Sequence, residues 1–568
     1  MTATALPEAP VLVVGAGPVG LTLACELRRH GVTCRIIDRN DGPTPLNESR
    51  ALGIQARTME VFRETGIADA VLALAKQFHG MSAFSAGRRV AHLSFDFEDL
   101  DTRYPHVFGL PQSITERLLI DRLAALGGAV ERETSLTSFA QDGAGVTATL
   151  ADSEGRTSEV RAGWIVGCDG SRSVVRETLD LRFEGGEYEE LFLIADARVD
   201  WGMPVAEDEI AFFLTPEGPI VSFPFPEPGR WRLVDTTGLV EAKDQEGIVA
   251  RFRDLITRHV SPGATITDPT WTSSFHIHRR VVDTYRVRRA FVAGDAAHLH
   301  SPAGGQGMNT GIQDASNLAW KLALVIGGKA RDVLLDSYSP ERRSAVAGVL
   351  TGSDLATRAV TLRNELAKGV RDALMGVLGE FDLVRRKISR AISELAVAYR
   401  DSPIVAEDHQ GLLHALIHRR EEPGVRDVLD FASAPRPGDR APDVPLESGG
   451  PLRWLADFKH PTLHTLFLFP GAAGRGGDDR LAAVIDLVRG RYADLIHPAF
   501  VARAETPAAP PVETVPDPKG EVHGRFGAHA ACLYLIRPDG YIGYRALPPD
   551  PDALRAYLDR LFIRDSTS

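Results

Sequence analysis

The distribution of apolar residues near the start of the chain predicts a strand, a helix and a second strand. Val11–Val14 is a short apolar run. Apolar residues then recur at helical spacing from Leu21 to Leu27, and the pattern ends at Gly31, a residue type that commonly terminates helices. Thr33–Asp38 is the next strand-like run. This order is that of a βαβ unit.

Two later segments also end a strand at a turn. Trp164–Arg176 reads as an apolar strand, an Asp-Gly turn and the start of a helix, and Arg289–Asp295 reads as a strand before a glycine-rich loop. The segment between them contains short β-type runs separated by turn residues, which predicts an inserted sheet. Those runs are Leu191–Trp201, Glu209–Leu214, Pro219–Phe225 and Arg230–Asp235.

The second half of the chain is helical at first and then mixed. Helical periodicity covers Asn317–Ile326 and returns over about Pro340–Arg400. A proline- and glycine-rich stretch after Phe431 predicts a domain boundary. The elements expected beyond it are a strand, a helix and a strand, at Leu463–Phe469, Arg480–Tyr492 and Ala531–Arg537. The pattern therefore predicts an α/β protein with a small α/β unit at its C-terminal end.

Composition narrows the class of protein. The chain has 568 residues, of which 44% are hydrophobic and 25% charged, as in a soluble globular protein of several domains. The net charge of −12 argues against a nucleic-acid partner. The apolar run Ala9–Cys25 is interrupted by glycines and prolines, and the first ten residues carry no secretory signal. We therefore expect a cytoplasmic protein without a membrane partner.

Neither a metal site nor a disulfide framework is expected. The four cysteines form no CxxC pair, which is typical of a reduced protein without structural zinc. His276 and His278 alternate as HxH on one strand face, but no third ligand can be identified for them. A structural or pocket-edge role is the simpler interpretation for these two histidines.

The first turn has the form GxGxxG. Gly15 would permit the tight turn, Gly17 would let a diphosphate approach the backbone, and Gly20 would let the helix and strand pack closely. Asp38, 18 residues after Gly20, could accept hydrogen bonds from an adenosine ribose. An acid at this position favours FAD or NAD over NADP. The alternative is an ordinary tight turn with Asp38 facing solvent.

Three motifs in order carry a family resemblance. GxGxxG is followed by the DG motif at Asp169 and the GD motif at Asp295. Together they resemble the three fingerprints of the flavoprotein aromatic hydroxylases, which include para-hydroxybenzoate and phenol hydroxylases. The likeness covers about the first 400 residues and is greatest to the bacterial branch acting on phenols and polycyclic aromatic polyketides. Smaller matches lie at Ser49–Phe62, Pro111–Leu119 and Leu334–Arg342.

The resemblance implies a domain layout. Residues 1–180 and 285–400 would form a Rossmann-like FAD-binding domain, with an inserted β-sheet substrate domain at 181–284. A helical segment and linker at 401–435 would lead to a thioredoxin-like α/β domain at 436–568, since PGDRAPD and RPDGYIGYR resemble the tails of phenol hydroxylases. That domain lacks CxxC, which excludes dithiol redox chemistry. Its role would be structural or at a subunit interface, as in a homodimer.

The resemblance also assigns cofactor contacts. Asp38 takes the ribose role, and Arg50 and Gln112 match positions on the flavin side. Asp169 supports the pyrophosphate region and NAD(P)H handling, and Asp295 bonds the ribityl chain. The whole set is Gly15, Gly17, Pro18, Val19, Gly20, Asp38, Arg39, Arg50, Gln112, Asp169, Asp295, Pro302, Gly304, Gly305, Gly307, Met308 and Asn309.

The loop within Gly294–Ala315 has five glycines and no lysine or arginine. We expect Pro302–Asn309 to pass against the isoalloxazine ring, because glycines let backbone N–H groups approach it closely. The following helix would direct its positive end at the ring, where reduction places negative charge. Pro302, beside the flavin, is the one candidate for the catalytic set. The alternative is a glycine-rich N-cap without a ligand.

The implied activity is that of a single-component FAD monooxygenase. NADPH or NADH reduces FAD, O₂ adds to give C4a-hydroperoxyflavin, and its distal oxygen is transferred to a small aromatic substrate, phenolic or polyketide-like. Phe212, Phe225 and His276 are candidates for the substrate pocket, although aromatic stripes are more often core. Baeyer–Villiger-type insertion, epoxidation, and flavin binding without oxygenase turnover remain as alternatives.

Overall fold

The computed structural model describes residues 9–95, 100–236, 244–299, 305–348, 390, 392–409, 423–446, 451–471, 478–504 and 510–564. It has a mixed α/β fold and divides into two compact units. The first unit comprises Met1–Leu100, Tyr104–Ser316 and Val346–Leu395. The second comprises Asp101–Arg103, Asn317–Ala345 and Ala396–Ser568.

A mainly parallel sheet forms the base of the first unit. Its strand order is Arg286–Val287, Ala290–Val292, Thr157–Gly167, Ala9–Val14, Cys34–Ile37 and Val130–Glu131. Val11, Leu12 and Val13 are fully buried, as expected for a central strand covered on both faces. The predicted first helix is confirmed and spans Pro18–Arg29.

Smaller elements surround this sheet. Strands Ser135–Gln141 and Val146–Ala151 extend it in antiparallel fashion from Thr157–Gly167. A separate three-stranded sheet contains Gly53–Ile54, Val107–Gly109 and Lys76–Phe78. The accompanying helices are Ala56–Thr65, Ala68–Leu74, Gln112–Ala125 and Val174–Thr178.

The second sheet of this unit has eight strands and includes the four predicted β runs. Its order is His298–Leu299, Thr265–Val282, Phe183–Asp200, Arg230–Asp235, Gly218–Pro224, Glu209–Thr215, Gly80–Ser85 and Arg88–Ser94. One face packs on helix Gln245–His259 through Trp231, Leu233 and Phe213. Three of these strands come from outside the predicted segment 181–284, namely His298–Leu299, Gly80–Ser85 and Arg88–Ser94. Glu209–Thr215 pairs in parallel with Gly80–Ser85.

A long helix follows the GD motif. It spans Gly307–Ile326, so it begins ten residues before the predicted Asn317. The short helix Val333–Asp336 comes next, and residues 338–348 are helical, as predicted from about Pro340. Residues 349–389 and 391 of the predicted helical region lie outside the described residues.

The second unit is built on a six-stranded mixed sheet. Its order is Ala406–His409, Ile542–Leu547, Cys532–Ile536, His464–Phe469, Ile496–Ala502 and Glu513–Pro516. Its other described elements include helices Val425–Ser433, Asp478–Arg491, Glu521–Arg525 and Pro551–Leu561, and the strand pair Pro445–Leu446 and Arg453–Trp454. Leu466 and Leu468 belong to one hydrophobic core of the unit, and Phe467 and Phe469 to another.

The second unit begins earlier than the predicted boundary at 436. Strand Ala406–His409 pairs in parallel with Ile542–Leu547. Part of the predicted linker, 401–435, is therefore an edge strand of the sheet. Among the described helices, none combines the length and apolar character that a membrane crossing requires. The four cysteines are all free thiols.

A buried cluster of charges lies in the second unit. Glu341 accepts hydrogen bonds from Lys321 Nζ at 2.7 Å, Arg537 Nη1 at 2.7 Å and Ser402 Oγ at 2.6 Å. Arg537 also pairs with Asp539. Burial alone would raise the pKa of Glu341, but the Arg537 and Lys321 charges outweigh it and hold that pKa well below its usual range. Glu341 is therefore ionised in the folded protein.

We expect Glu341→Gln to lower the free energy of unfolding by roughly 3–5 kcal/mol at pH 7, because Lys321 and Arg537 would keep buried charges with less compensation. The stabilisation from Glu341 is complete above its unfolded pKa of about 4.5 and is lost as the pH falls below it. Urea unfolding from pH 7 to pH 3 should therefore show a smaller loss of stability in the variant.

The matched control is Asp552→Asn, which breaks an exposed pair with Arg555 in the same unit. Exposed pairs contribute little to stability, so its urea midpoint should stay close to that of the wild type. Equal midpoints for Glu341→Gln and the wild type would contradict the importance of the buried cluster.

Candidate functional site

The first unit contains a cavity of about 1140 Å³. This exceeds the usual 300–1,000 Å³ of small-ligand pockets and leaves room for a dinucleotide and a second ligand. The wall brings together fourteen of the residues predicted from the sequence. They are Gly15, Gly17, Pro18, Val19, Asp38, Arg39, Arg50, Gln112, Asp169, Phe212, Asp295, Gly305, Gly307 and Met308.

The other predicted residues are placed differently. Pro302 and Gly304 lie outside the described residues, and of His276 only the backbone is described, paired with Leu191. Phe225 is buried but is not on the cavity wall. Gly20 and Asn309 lie behind the wall, where each has a packing or hydrogen-bonding role.

Backbone packing explains the first glycine motif. Gly15 has φ +99°, and a Cβ there would lie 2.4 Å from the carbonyl oxygen of Cys168. A Cβ on Gly20 would lie 1.9 Å from the carbonyl oxygen of Gly15. A Cβ on Gly17, by contrast, would meet no atom within 4 Å. Gly17 is the N-cap of the first helix, so the motif leaves open space at a positive helix terminus, which suits a diphosphate.

Asp38 closes this turn from the end of the second strand. Its carboxylate accepts hydrogen bonds from the backbone N–H of Ala16 at 2.7 Å and of Asn40 at 2.9 Å. Arg132 Nη1 lies 3.9 Å from Oδ1. A carboxylate offers about four acceptor positions, so capacity remains for ribose hydroxyls. The side chain is 11% exposed and lies on the cavity wall, which disfavours the interpretation that it simply faces solvent.

The aspartate of the DG motif organises the start of the next helix. Asp169 accepts hydrogen bonds from Ser173 Oγ at 2.5 Å and from the backbone N–H of Val174 at 2.7 Å. Burial raises the pKa of Asp169, and these hydrogen bonds oppose that shift. The motif therefore fixes the turn that carries Gly170 and Ser171 along the cavity wall.

Asp314, a buried residue, forms a hydrogen bond to the backbone of the GD motif. Asp314 Oδ2 accepts a hydrogen bond from the backbone N–H of Gly294 at 2.9 Å and lies 2.8 Å from His298 Nε2, all in buried surroundings. A Cβ on Gly294 would lie 2.8 Å from Val19 Cγ2. Asp295 lies on the cavity wall and is exposed to the cavity. The protein packed around it nevertheless raises the pKa of its carboxyl by desolvation, and the nearby His298 partly opposes that shift.

The glycine loop is fastened at the start of helix Gly307–Ile326. Asn309 Nδ2 donates to the carbonyl oxygens of Gly53 at 2.9 Å and Gly305 at 2.7 Å, and Oδ1 accepts from the N–H of Gln55 at 3.0 Å. Asn309 therefore orders the loop, while the neighbouring backbone at Gly305 lines the cavity. Gln112 lies on the cavity wall as well, and its Oε1 accepts a hydrogen bond from the backbone N–H of Ala51 at 3.3 Å.

An apolar part of the wall comes largely from the eight-stranded sheet. Phe212 faces the cavity, whereas its neighbour Phe213 packs in the core on the other face, as strand alternation requires. Phe223 also lines the cavity. The other apolar lining residues include Phe78, Met81, Phe95, Val107, Phe192, Ile194, Ile210, Val221, Val234 and Ile392. This surface suits a flat hydrophobic ligand.

Sequence reasoning missed a group of buried polar side chains, which we name the Ser49 cluster: Ser49, Asp196 and Arg232. Arg232 Nε and Nη2 donate to the two oxygens of Asp196 at 2.9 and 3.0 Å. Ser49 Oγ bonds both partners. The available signal was that Asp196 and Arg232 each interrupt an apolar strand.

Comparisons with known proteins identify the family of the chain. The family described as FAD binding domain matches residues 8–353. The chain is 36% identical to 6-methylpretetramide 4-monooxygenase of Streptomyces rimosus, over 98% of this chain and 95% of that protein. It is 30% identical to pentachlorophenol 4-monooxygenase of Sphingobium chlorophenolicum, over 98% and 97%.

A solved structure is similar over nearly the whole length. It is an aklavinone-11 hydroxylase in a ternary complex with FAD and aklavinone. The TM-score is 0.73 with 27% sequence identity, and the match covers 98% of this chain and 99% of that one.

Gly17→Ala should separate folding from cofactor binding. Gly17 has φ −76°, which alanine adopts freely, and the added methyl group would meet no protein atom within 4 Å. That methyl group would instead occupy the surface predicted to receive the diphosphate. We expect an unchanged melting temperature of the apoprotein and an FAD dissociation constant at least about tenfold higher, equivalent to ~1.4 kcal/mol.

Gly143→Ala is the control, since Gly143 is exposed, lies off the cavity wall and would also meet no atom with an added Cβ. Titration of FAD followed by flavin fluorescence gives the dissociation constants. Equal FAD affinity in Gly17→Ala and Gly143→Ala would argue against a diphosphate at the first turn.

Proposed function

The chain belongs to the FAD-binding family of flavin-dependent aromatic monooxygenases, and from this we propose that it hydroxylates a phenolic or polycyclic, polyketide-like aromatic compound, using NADPH or NADH and O₂. One observation carries the proposal. A single cavity joins the dinucleotide turn at Gly17 to the apolar sheet face at Phe212. A dinucleotide and an aromatic ligand would therefore share one cavity.

We propose that FAD lies along the polar part of this cavity. The open surface at Gly17 would receive the diphosphate, Asp38 the ribose and Asp295 the ribityl chain. The backbone from Gly305 to Met308 would pass along the ring. When bound, FAD supplies the chemistry: it takes electrons from NAD(P)H and delivers one oxygen atom of O₂ to an aromatic carbon.

The protein's own contribution would be orientation and electrostatics. The N-terminal end of helix Gly307–Ile326 lies on the wall and presents partial positive charge there, so a cationic side chain in the loop is unnecessary. The apolar sheet face, with Phe212 and Phe223, would hold an aromatic ring and exclude water from the reacting atoms. We assign no side chain as an obligatory general base.

The architecture supports finer structural proposals. The parallel sheet with a glycine turn after its first strand supports a Rossmann-like FAD-binding part, drawn from 1–180 and 285–400. The sheet at 181–284, with strands from residues 80–94, would be the substrate part. In the second unit, a six-stranded mixed sheet covered by helices supports a thioredoxin-like assignment, with a structural role or one at a homodimer interface.

The substrate class is supported by cavity size and by the relatives. The cavity of about 1140 Å³ would hold FAD together with the substrate, and its more than ten apolar lining side chains suit an extended aromatic ligand. The structurally similar aklavinone-11 hydroxylase holds aklavinone together with FAD. We therefore place polycyclic aromatic compounds ahead of simple phenols.

The direct test is turnover by the purified FAD-loaded enzyme. We expect about one FAD per chain and slow NADPH oxidation without substrate. Hydroxylated anthraquinones should accelerate NADPH oxidation and yield a product with one added oxygen atom, with simple phenols giving a smaller effect. Product NMR distinguishes ring hydroxylation from Baeyer–Villiger insertion or epoxidation. Bound FAD with no oxygenated product across the panel would favour flavin binding without oxygenase turnover.

We further expect Cys532 to be dispensable for electron transfer. Its thiol is fully buried, and burial raises its pKa far above neutrality despite the nearby Arg545. A protonated, inaccessible thiol is a poor redox group. Cys532→Ala should retain the wild-type rate of FAD reduction by NADPH in stopped-flow absorbance. A clear loss of that rate at unchanged FAD content would contradict the absence of redox chemistry in the second unit.

A further inference from the structure

The Ser49 cluster connects two walls of the cavity. Asp196 lies on strand Phe183–Asp200 directly opposite Arg232 on strand Arg230–Asp235. Both side chains are almost fully buried, at 2% and 7% exposure, and Ser49 is buried as well. On the same strand faces, Ile194 and Val234 line the apolar part of the cavity. The cluster therefore stands in the sheet surface that we assign to the substrate.

The cluster also forms hydrogen bonds to the segment Ser49–Arg50, on the side of the cavity that we assign to the dinucleotide. Arg232 Nη1 donates a hydrogen bond to the carbonyl oxygen of Arg50, and Nη2 donates to Ser49 Oγ. Arg50 has φ +45°, a left-handed conformation that is costly for a residue with a side chain. Its own side chain is 54% exposed, and the residue lies on the cavity wall. A strained peptide is thus held by buried partners.

Only an arginine can make this set of contacts. The guanidinium offers five N–H groups in a planar fork, of which four are used here by Asp196, Ser49 and the Arg50 carbonyl. A lysine would keep the charge opposite Asp196 but lose the fork. Apolar residues that replace a buried ion pair often give equal stability. The role of the Ser49 cluster is therefore better judged from which groups its hydrogen bonds hold in place than from the stability that it provides.

We propose that the Ser49 cluster is a positioning device that holds the Arg50 peptide in its left-handed conformation and so sets where Arg50 meets the bound flavin. This rests on the proposed placement of FAD. Arg232 and Asp196 act through Arg50 and are positioning residues. The arrangement makes the cofactor environment depend on the sheet that faces the substrate.

The chain offers a matched control on the other face of the same strand. Arg251 Nε donates to Asp235 Oδ2 at 3.1 Å, and the two side chains are 9% and 3% exposed. Neither residue lies on the cavity wall. Arg251→Lys therefore disturbs a buried arginine–aspartate pair of the same sheet without touching Arg50.

The first experiment compares Arg232→Lys with Arg251→Lys in the full-length protein. We expect Arg232→Lys to raise the FAD dissociation constant about tenfold, equivalent to ~1.4 kcal/mol, and to increase the fluorescence of bound flavin. Arg251→Lys should leave both properties at wild-type values. Melting temperatures of the apoproteins show whether each variant is folded. Wild-type affinity and fluorescence in Arg232→Lys would overturn the proposal.

A double-mutant cycle tests whether the effect passes through Arg50. Glycine adopts positive φ freely, so Arg50→Gly removes the need for a restraint. In the Arg50→Gly background, Arg232→Lys should cause no further loss of FAD affinity, whereas independent effects would add. Additive losses would overturn the proposal. Ser49→Ala, a milder change, should shift fluorescence in the same direction, and an unchanged spectrum would count against Ser49.

The results separate this proposal from the proposed function. If the wild type takes up no FAD, both fall. If FAD binds and Arg232→Lys behaves like the wild type, the positioning proposal alone falls. If FAD binds and the cycle is non-additive but no anthraquinone or phenol is oxygenated, the positioning proposal stands and the proposed substrate class falls.

Discussion

The site depends on close backbone approach among three chain segments that are far apart in sequence. A Cβ on Gly15 would collide with the Cys168 carbonyl, and a Cβ on either Gly294 or Gly311 would press within 3 Å of Val19. The glycine turn therefore contacts the segments that carry the DG and GD motifs at distances that no side chain allows. These contacts fix the polar end of the cavity before any ligand contributes.

This packing explains how an acidic protein can prepare a site for a phosphate-bearing cofactor. The first helix and helix Gly307–Ile326 both begin at the cavity, and helix N-termini attract negative charge without a lysine or arginine. The Asp38 carboxylate accepts hydrogen bonds from the backbone N–H groups of Ala16 and Asn40, which fixes the turn. It can still accept further hydrogen bonds from a ligand. Oriented backbone groups therefore contribute to the polar end, together with the wall residues Arg39, Arg50, Arg132 and Arg172.

Sequence alone predicted those features that follow from local pattern. Alternation within strand Glu209–Thr215 puts Phe212 and Phe213 on opposite faces of the sheet, and the structure agrees. Alternation puts Phe225 on the same face as Phe223, but it did not show that Phe225 follows the end of the strand at Pro224 and lies off the cavity wall, with its ring centre 5.8 Å from the Arg232 guanidinium. Non-local pairing was equally invisible: no local pattern shows that strand Ala406–His409 joins a sheet whose neighbouring strand lies more than 130 residues later.

The two buried polar clusters, around Asp196 and Glu341, could not be predicted from the sequence, and the same physical constraint accounts for both. A charge within an apolar strand or helix is costly alone, so Asp196 and Glu341 are informative only when their partners are known. Each is surrounded by donors from separate segments, and Arg232 and Arg537 each contact more than one acceptor. Glycines allow chain segments to pack closely against one another. The charge clusters restrict how those segments are aligned, because another alignment would leave buried charges unpaired.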